Sequence, residues 1–512
     1  MARDPQTYLT LVAIGVLVIL GLKSALELDR WFDTWSYHLP FAARLWGIVG
    51  PDQFDFQHRT SWFAGFTKLG HWLEGGLWAL TGRASTASLV SYFSFVALVV
   101  ASARLLRLSF AMVCFAFLNV PLLGYLIRVT SNDLLDNMFA TLMILCAMRW
   151  YWCTGKETQA PGTRLYWLGA VVVLGALATY TKFQMVPVVV FTLTAVACRA
   201  VYVAWRDLGN GWAFLRWIVL KLLPISMAVF GLVFFFNLKN MVVYAHTPYL
   251  SNPFYPVTLK GMGLYVPGVV SGDFRNYLAP DHLEAMPQPY LWGISMLRDW
   301  GGLNPWHLKS TVLGGYGLIY LTAHLVWFMV NALWSTCARK KTYVTVMLVL
   351  TLTTPFLPNA FVLRYYLYWF ILLILFNCVM AGGLFSFAPA WRKQYQVVLC
   401  CLFMGLYLQA LQKHPGRLRV NLGRPFLQQG AFEQAAKAIA EVVEDSDVVR
   451  PNICERTFSD HSFALVWYFQ PQIKKPYRIS RCRLAHYEIF PRKSGRFGWK
   501  RLRRKVPRRQ SV

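Results

Sequence analysis

The sequence is short of charged residues, and acidic residues are the scarcer kind. Asp, Glu, Lys and Arg make up 14% of the 512 residues, with 23 acidic residues against 51 basic ones. A soluble protein would carry roughly a quarter charged residues, so an ordinary soluble domain is excluded. Apolar runs of about twenty residues recur instead, and each is long enough to cross ~30 Å of hydrocarbon. The sequence therefore predicts a polytopic membrane protein.

Several motifs of soluble enzymes are absent as well. The chain has no P-loop, no Gly-x-Gly-x-x-Gly after a strand, no nucleophile elbow and no His-Glu-x-x-His. A nucleotide-dependent reaction is therefore unsupported, and an activated substrate would have to come from the membrane itself. The sequence also lacks an Asn-x-Ser/Thr sequon, which disfavours a protein of the endoplasmic reticulum.

Cysteines give no sign of a metal site. Eight of the ten lie in or beside apolar runs, without the spacing of zinc ligands. Cys454 and Cys482 lie in the polar tail, where they could pair if the tail is extracytoplasmic.

Eleven apolar segments are candidate membrane spans: 8–27, 86–105, 108–127, 134–152, 165–181, 184–204, 213–236, 311–334, 342–359, 363–386 and 394–412. The first is too long for a signal peptide and lacks a cleavage pattern, so we expect it to be retained. The fifth and sixth share a turn at Lys182 and form either two crossings or a broken hairpin. No inverted repeat is evident, which counts against a secondary transporter.

Basic residues in the connections predict the orientation. One set of ends carries Arg3, Arg104, Arg107, Arg149, Lys156, Arg164, Arg199, Arg206, Arg216, Arg339, Lys340, Lys341, Arg392 and Lys393. These ends belong in the cytoplasm, so the N-terminus is inside and an odd number of spans places the C-terminal region outside. The net charge of +28 is thus explained by anchoring and headgroup attraction rather than by nucleic acid.

Two regions follow from this reading. Residues 1–412 form the membrane module, an all-α polytopic fold of about eleven transmembrane helices with long outside loops at 28–85 and 237–310. The first loop should hold two interfacial helices, one beginning at Pro40 and one near Ser61–Leu80. Residues 413–512 should form a small extracytoplasmic α/β domain. Its predicted parts are a helix at Ala431–Val443, strands around Val448, Ala464–Phe469 and Tyr477–Ile479, and a disordered basic end at Arg501–Arg509.

Acidic residues stand out at the predicted outer face. Asp33 follows the first span, and Asp133 and Asp136 lie at the start of the fourth. Structural explanations exist for two of them, since Asp33 could pair with Arg30 and Asp133 could cap a helix. Asp136, one turn further on, would point into the bundle, where an unpaired carboxylate is costly.

Cations accompany these acids on the same face. Arg128, Lys182 and Arg364 occupy short loops on the side that should be poor in positive charge. Each alone could extend to lipid headgroups. Together they suggest an anion site, and a membrane-embedded phosphate is the obvious ligand. His38 could orient a neighbour, cap a helix or act on a proton or metal, but no other His or Cys lies near it at zinc-ligand spacing.

The ordered set of motifs resembles the GT-C glycosyltransferases, integral membrane enzymes that use polyprenyl-phosphate-linked sugars. That group includes protein O-mannosyltransferases, the lipid A aminoarabinose transferase and oligosaccharyltransferases. The resemblance covers roughly residues 8–386. It rests on Asp33 with Tyr37-His38-Leu39-Pro40, Asn132-Asp133, Thr181-Lys182, Asn252-Pro253-Phe254-Tyr255-Pro256 and Arg364-Tyr365-Tyr366.

The resemblance implies a fold, a reaction and a set of roles. Asp33 would be the general base and Asp133 would orient the acceptor or Asp33, with inversion at the anomeric carbon. The donor phosphate would be held by Lys182, Arg364 and Arg128. The remaining substrate-binding positions are Tyr37, His38, Asp136, Asn252, Tyr255 and Tyr365. No cofactor is predicted; the second acidic site lacks Asp-x-Asp, so a divalent metal is not supported.

The predicted function is therefore sugar transfer from a polyprenyl-phosphate donor to an envelope glycan, lipid or protein, at the outer face of a bacterial inner membrane. Two alternatives remain open at this point. The same charges could line the path of a transporter or flippase of lipid-linked sugars. The chain could also be a non-catalytic subunit of envelope assembly, with its basic tail as a docking element.

Overall fold

The computed structural model describes residues 4–27, 33–48, 63–154, 161–243, 259–261, 264–266, 286–297, 315–357, 360–384, 389–413, 448–451, 478–479, 487–491 and 497–501. Helices dominate this part of the chain. Between residues 4 and 243 they are α1 (Pro5–Leu26), α2 (Leu39–Leu45), α3 (Leu69–Thr81), α4 (Leu89–Leu106), α5 (Phe110–Leu118), α6 (Pro121–Leu126), α7 (Asp133–Thr154), α8 (Pro161–Thr181), α9 (Val186–Leu208), α10 (Gly211–Trp217), α11 (Leu223–Val233) and α12 (Phe235–Val243).

Five further helices follow in the second half: α13 (Gln288–Leu297), α14 (Gly315–Trp334), α15 (Lys340–Thr353), α16 (Leu367–Leu384) and α17 (Pro389–Lys413). Short turns of other helical types join them. They are π-helical turns at Thr34–His38 and Ile218–Leu222, and 3₁₀ turns at Ala84–Ser88, Phe183–Met185, Thr354–Phe356 and Leu363–Tyr365.

Six stretches of the described residues are long and apolar enough to cross a membrane: Pro5–Leu26, Ala84–Leu106, Gly162–Thr181, Phe183–Leu208, Gly211–Val233 and Leu367–Leu384. They coincide with six of the predicted spans, and these apolar helices make the chain an integral membrane protein. The other predicted spans also fall on helices. The third is divided into α5 and α6, because Pro121 begins a new helix rather than continuing the old one. The number of crossings stays a prediction.

The α7 helix lies at the centre of the bundle. It packs against α4, α8, α9 and α16, and its first half is buried on nearly every side. A helix in such surroundings cannot leave polar side chains without partners at low cost. The acids at its N-terminal end therefore require groups supplied by neighbouring segments.

The first long loop contains two short helices that pack on each other. A π-helical turn, Thr34–His38, leads into α2, whose residues 39–43 are buried. The α2 helix packs against α3. Both helices lie within or next to the segments predicted for them. Residues 63–65 are also helical, and a break at 66–68 separates them from α3, which begins at Leu69.

Strands are few in the described residues. In the second long loop, β1 (Leu259–Gly261) pairs antiparallel with β2 (Leu264–Val266), and Leu259 lies opposite Val266. The tail contributes β3 (Val448–Pro451), β4 (Arg478–Ile479), β5 (Tyr487–Pro491) and β6 (Phe497–Arg501). These form a sheet of order β4-β3-β5-β6, in which β3 runs parallel to β4 and β5, and β6 runs antiparallel to β5.

The sequence predicted only part of this sheet. The strand predicted near Val448 is present as β3, and the one predicted at Tyr477–Ile479 is present at Arg478–Ile479. The strands β5 and β6 were not predicted, and β6 extends to Arg501. The predicted helix and the predicted strand at Ala464–Phe469 lie outside the described residues, as do Cys454 and Cys482. An α/β domain on the outer side of the membrane stays a prediction.

Candidate functional site

Four segments that are distant in sequence meet at one end of the helix bundle. Asp33 precedes the π-helical turn, Asp133 begins α7, and Arg364 lies in the 3₁₀ turn before α16. Lys182 separates α8 from α9, and its extended backbone, with φ −156° and ψ 130°, ends α8. The chain thus reverses at the residue whose ammonium group reaches the site.

Acids and cations alternate across this site. The Arg364 guanidinium donates from Nη1 to Asp33 Oδ2 at 2.8 Å and lies 3.6 Å from Asp133 Oδ2. The Lys182 ammonium donates to Asp133 Oδ1 and lies 3.9 Å from Asp136 Oδ2. Asp133 therefore offers one carboxylate oxygen to each cation. We call these five side chains the charge chain.

The charge chain runs from a partly accessible end to a buried one. The Asp33 and Lys182 side chains are each 17% exposed, whereas Asp133 is 3% exposed and Asp136 is fully buried. Buried charges are tolerated only when partners compensate for the lost hydration. Here each cation lies against two carboxylates, and the accessible residues are the ones that could meet a substrate.

Both cations stay charged in this setting. Burial opposes the charge of Lys182, but Asp133 and Asp136 outweigh it and raise the pKa of the ammonium group. Burial likewise opposes the charge of Arg364, yet Tyr365, Asp33 and Asp133 raise the pKa of its guanidinium well above its ordinary value. Neighbouring charge therefore decides the protonation state of both groups.

Two tyrosines complete the surroundings of the cations. The Lys182 ammonium lies 4.0 Å from the centroid of the Tyr365 ring, and the Tyr365 hydroxyl accepts a hydrogen bond from Arg364 Nη2 at 3.1 Å. Tyr37 lies close enough to Asp33 and Arg364 to feel their charges. Burial raises the pKa of Tyr37 well above its ordinary value, and Asp33 adds to this, so Tyr37 remains a neutral phenol.

Asn137 joins the charge chain to α16, and sequence reasoning missed it. Its side-chain nitrogen donates to Asp136 Oδ1 at 2.8 Å and to the Arg364 carbonyl at 2.9 Å. Its side-chain oxygen accepts from the Tyr368 amide at 2.8 Å, in the first turn of α16. The signal in the sequence was its position directly after Asp136, within a run of polar residues.

We expect Asn137→Ala to lower the free energy of unfolding by about 1–3 kcal/mol, because the Tyr368 amide and the Arg364 carbonyl would lose a buried partner. The measurement is unfolding of the purified protein in mixed micelles. Asn210→Asp is the control, since Asn210 caps the exposed start of α10 through the Trp212 amide and Asp caps a helix about equally well. A loss no larger than that of the control would contradict the role given to Asn137.

Hydroxyl groups hold the same segments in register. Thr34 donates to the Thr130 carbonyl at 2.9 Å, which fixes the Asp33 segment against the loop before α7. Thr67 donates to the Thr181 carbonyl at 2.9 Å, next to Lys182. The first loop is therefore bonded to both acidic and basic parts of the site.

Not every predicted residue joins the charge chain. The Arg128 Nε donates to the Gly124 carbonyl in α6, and the Arg128 charge acts on Lys23 of α1. Asn252 and Tyr255 lie outside the described residues. Among the predicted residues, the contacts above bring together Asp33, Asp133, Asp136, Lys182, Arg364 and Tyr365, with Tyr37 beside them.

His38 belongs to a different cluster, in the first loop. Its Nδ1 lies 3.9 Å from Glu74 Oε2, and its ring centroid lies 5.0 Å from that of His71. All three residues are buried. Burial and the neighbouring His71 lower the pKa of His38 well below its ordinary value, and burial lowers the pKa of His71 to about 3. Both imidazoles are therefore neutral at pH 7.

His71 and Glu74 were also missed by sequence reasoning. They lie three residues apart in a segment predicted to be helical, and this spacing places two side chains on the same face of a helix. What the sequence did not show is that the α2–α3 packing would bring that face to His38.

Comparison with known proteins finds structural likeness only. No protein-family model and no curated protein matches the sequence. Among solved structures, ArnT from Cupriavidus metallidurans bound to undecaprenyl phosphate is 15% identical with a TM-score of 0.38, covering 93% of this chain and 90% of that one. ArnT from the same organism in the apo state is 14% identical with a TM-score of 0.41, covering 92% of this chain and 85% of that one.

Proposed function

We propose that the chain is a membrane glycosyltransferase that moves a sugar from a polyprenyl-phosphate donor to an acceptor of the cell envelope. The observation that carries this proposal is the charge chain: two cations held among three carboxylates at one end of a membrane helix bundle. Cations in such a place suit the phosphate of a lipid, and a neighbouring carboxylate suits proton removal.

The donor phosphate would lie against Lys182 and Arg364. As the bond between the anomeric carbon and the phosphate oxygen breaks, negative charge grows on the polyprenyl phosphate that leaves. An ammonium group and a guanidinium group fixed in advance stabilise that charge without reorganising. A phosphate leaves without needing a proton, so this half of the reaction requires no general acid.

Asp33 would accept the proton of the acceptor hydroxyl. The hydroxyl oxygen then bonds to the anomeric carbon from the side opposite the phosphate, which inverts its configuration. In the structure Asp33 accepts a hydrogen bond from Arg364. A donor phosphate that accepts hydrogen bonds from Arg364 would weaken the bond between Arg364 and Asp33. The Asp33 carboxylate could then accept a proton more readily, so donor binding would prepare the site for the acceptor.

The distribution of charge favours this reaction over transport. The ion pairs of the charge chain lie at the N-terminal end of α7, whereas its middle part, residues 138–146, has no charged side chain. A flippase or transporter would be expected to place charged groups along its path. Chemistry at one membrane face needs them only at that face.

Neutralising Arg364 should weaken donor binding. We expect Arg364→Gln to raise the Kd for undecaprenyl phosphate about 10- to 100-fold, because a charge-assisted hydrogen bond contributes about 1.5–3 kcal/mol. Arg206→Gln is the control, since Arg206 and Asp207 form an exposed pair away from the site. Equilibrium binding in detergent at several salt concentrations provides the measurement. Equal affinity of the Arg364 variant and the wild type for undecaprenyl phosphate would contradict the assignment of Arg364 to the phosphate site.

The proposed reaction itself is tested by turnover. Purified full-length chain is incubated with polyprenyl-phosphate-linked sugars and envelope fractions, and mass spectrometry detects the glycosylated acceptor. Donor that binds but never turns over, together with its movement between leaflets in proteoliposomes, would favour the flippase. Donor binding without turnover and without movement between leaflets would favour a non-catalytic subunit.

A further inference from the structure

A second group of polar side chains lies in the first loop, apart from the ion pairs of the charge chain. His38 is the last residue of the π-helical turn, and His71 and Glu74 lie one turn apart on α3. The groups of these three residues that can bind a metal lie within 4.8 Å of one another. Within the part of the chain that the structure describes, this is the one group of three or more His, Cys, Asp or Glu side chains that could hold a metal ion.

The cluster is buried. His38 is 5% exposed, His71 is 2% exposed and Glu74 is fully buried. The Nδ1 atom of His38 has no hydrogen-bond partner among the described residues. Two buried imidazoles and a buried carboxylate are donors that one cation can share.

We propose that His38, His71 and Glu74 bind one divalent transition-metal ion, and that Zn²⁺ fits this ligand set best. Two imidazole nitrogens and one carboxylate oxygen are a ligand set that zinc accepts, with water in the fourth position. Ca²⁺ and Mg²⁺ prefer oxygen ligands, so two histidines argue against them. Iron(II) accepts the same set and is the competing ion.

The geometry is close to what such an ion requires. Zinc binds nitrogen and oxygen at about 2.0–2.2 Å, which places tetrahedral ligands roughly 3.4 Å apart. The 3.9 Å between His38 Nδ1 and Glu74 Oε2 is within a small side-chain rotation of that separation.

The ion would position the segment that carries Asp33. His38 ends the turn that begins directly after Asp33, and His71 and Glu74 belong to a different helix, so the ion would tie turn and helix together. On its other side the cluster borders the second acidic segment. His71 Nε2 lies 3.5 Å from Asn132 Nδ2, and a Cβ atom on Gly70 would lie 1.9 Å from Asn132 Oδ1, so a larger residue there would have to displace the Asn132 side chain. The metal is thus assigned to a positioning role.

Metal content tests this assignment whether or not the chain proves to be a glycosyltransferase. The full chain, carrying a purification tag without histidine, is stripped with chelator, reloaded with Zn²⁺, passed through gel filtration and analysed by mass spectrometry for metals. We expect about one zinc per wild-type chain and less than about 0.2 in Glu74→Gln and His71→Asn. His324→Gln is the control and should keep its zinc, because His324 is also buried but lies in α14.

X-ray absorption of the zinc-loaded wild type needs no variant. It should show nitrogen and oxygen ligands at about 2.0–2.1 Å with the scattering of two imidazoles. Zinc should also raise the Tm of the wild type and of His324→Gln by several degrees and leave the Tm of Glu74→Gln unchanged. Folded wild type that retains no zinc, zinc retained equally by Glu74→Gln, or zinc without imidazole scattering would each overturn the site.

Discussion

Replacement of Asp33 by Asn is expected to lower the rate of sugar transfer about 10²- to 10⁴-fold, the range associated with loss of a general base. The substitution keeps the size of the side chain, and its amide oxygen can still accept the hydrogen bond that Arg364 donates to Asp33. The fold should therefore persist. What disappears is the group that takes the proton of the acceptor hydroxyl.

Donor affinity separates this role from a binding role. In the wild type, Asp33 and the donor phosphate would compete for the Arg364 guanidinium, and a neutral amide competes less. The Kd for undecaprenyl phosphate is thus expected to be unchanged or lower in Asp33→Asn. A loss seen in kcat with no loss of donor binding indicates an interaction that matters in the transition state.

The control is an acid with no place in the site. Asp207 lies in an exposed pair with Arg206, and the side chains are 53% and 51% exposed. Asp207→Asn should transfer sugar at the wild-type rate. Transfer by Asp33→Asn at a similar rate would leave Asp33 as a structural partner of Arg364, and the base would have to be sought elsewhere.

The charge chain could be anticipated because its sequence signals are local. Lys182 and Arg364 break the distribution of positive charge along the connections, and Asp33 and Asp133 lie at the ends of apolar runs. Once the spans are alternated across a membrane, these ends fall on one face. The structure adds the pairing, with Asp133 between Arg364 and Lys182. No rule of sequence specifies which acid meets which cation.

Contacts between distant segments could not be read in this way. His38 and His71 are separated by a stretch of first loop whose path decides whether they meet, and α2–α3 packing decides it here. Asn137 was one polar residue among several, and the approach of the α16 segment gives it two further partners, the Arg364 carbonyl and the Tyr368 amide. The short strands β5 and β6 were also missed, since their apolar residues are interrupted by charges and by glycine.

Lys182 is expected to be the most costly cation of the site to remove. Lys182→Met would leave Asp133 and Asp136 buried without the ammonium group that lies against both. Removing one partner of a buried ion pair destabilises a protein by about 3–5 kcal/mol. We expect a loss of that size in the free energy of unfolding, measured in mixed micelles, together with loss of donor binding. Lys341→Met, at an exposed position in α15, is the control and should change little.

A double-mutant cycle separates the ion pair from other effects of the substitution. In Asp133→Asn/Lys182→Met, the carboxylate that the ammonium group compensates is also removed, so part of the lost stability should return. We expect a coupling free energy toward the upper part of the 0.5–3 kcal/mol range found for residues in direct contact. Stability losses that simply add would mean that the two side chains do not act on each other. Recovered stability without recovered donor binding would instead separate the two roles of Lys182, because the fold requires balanced charge whereas the phosphate requires the cation.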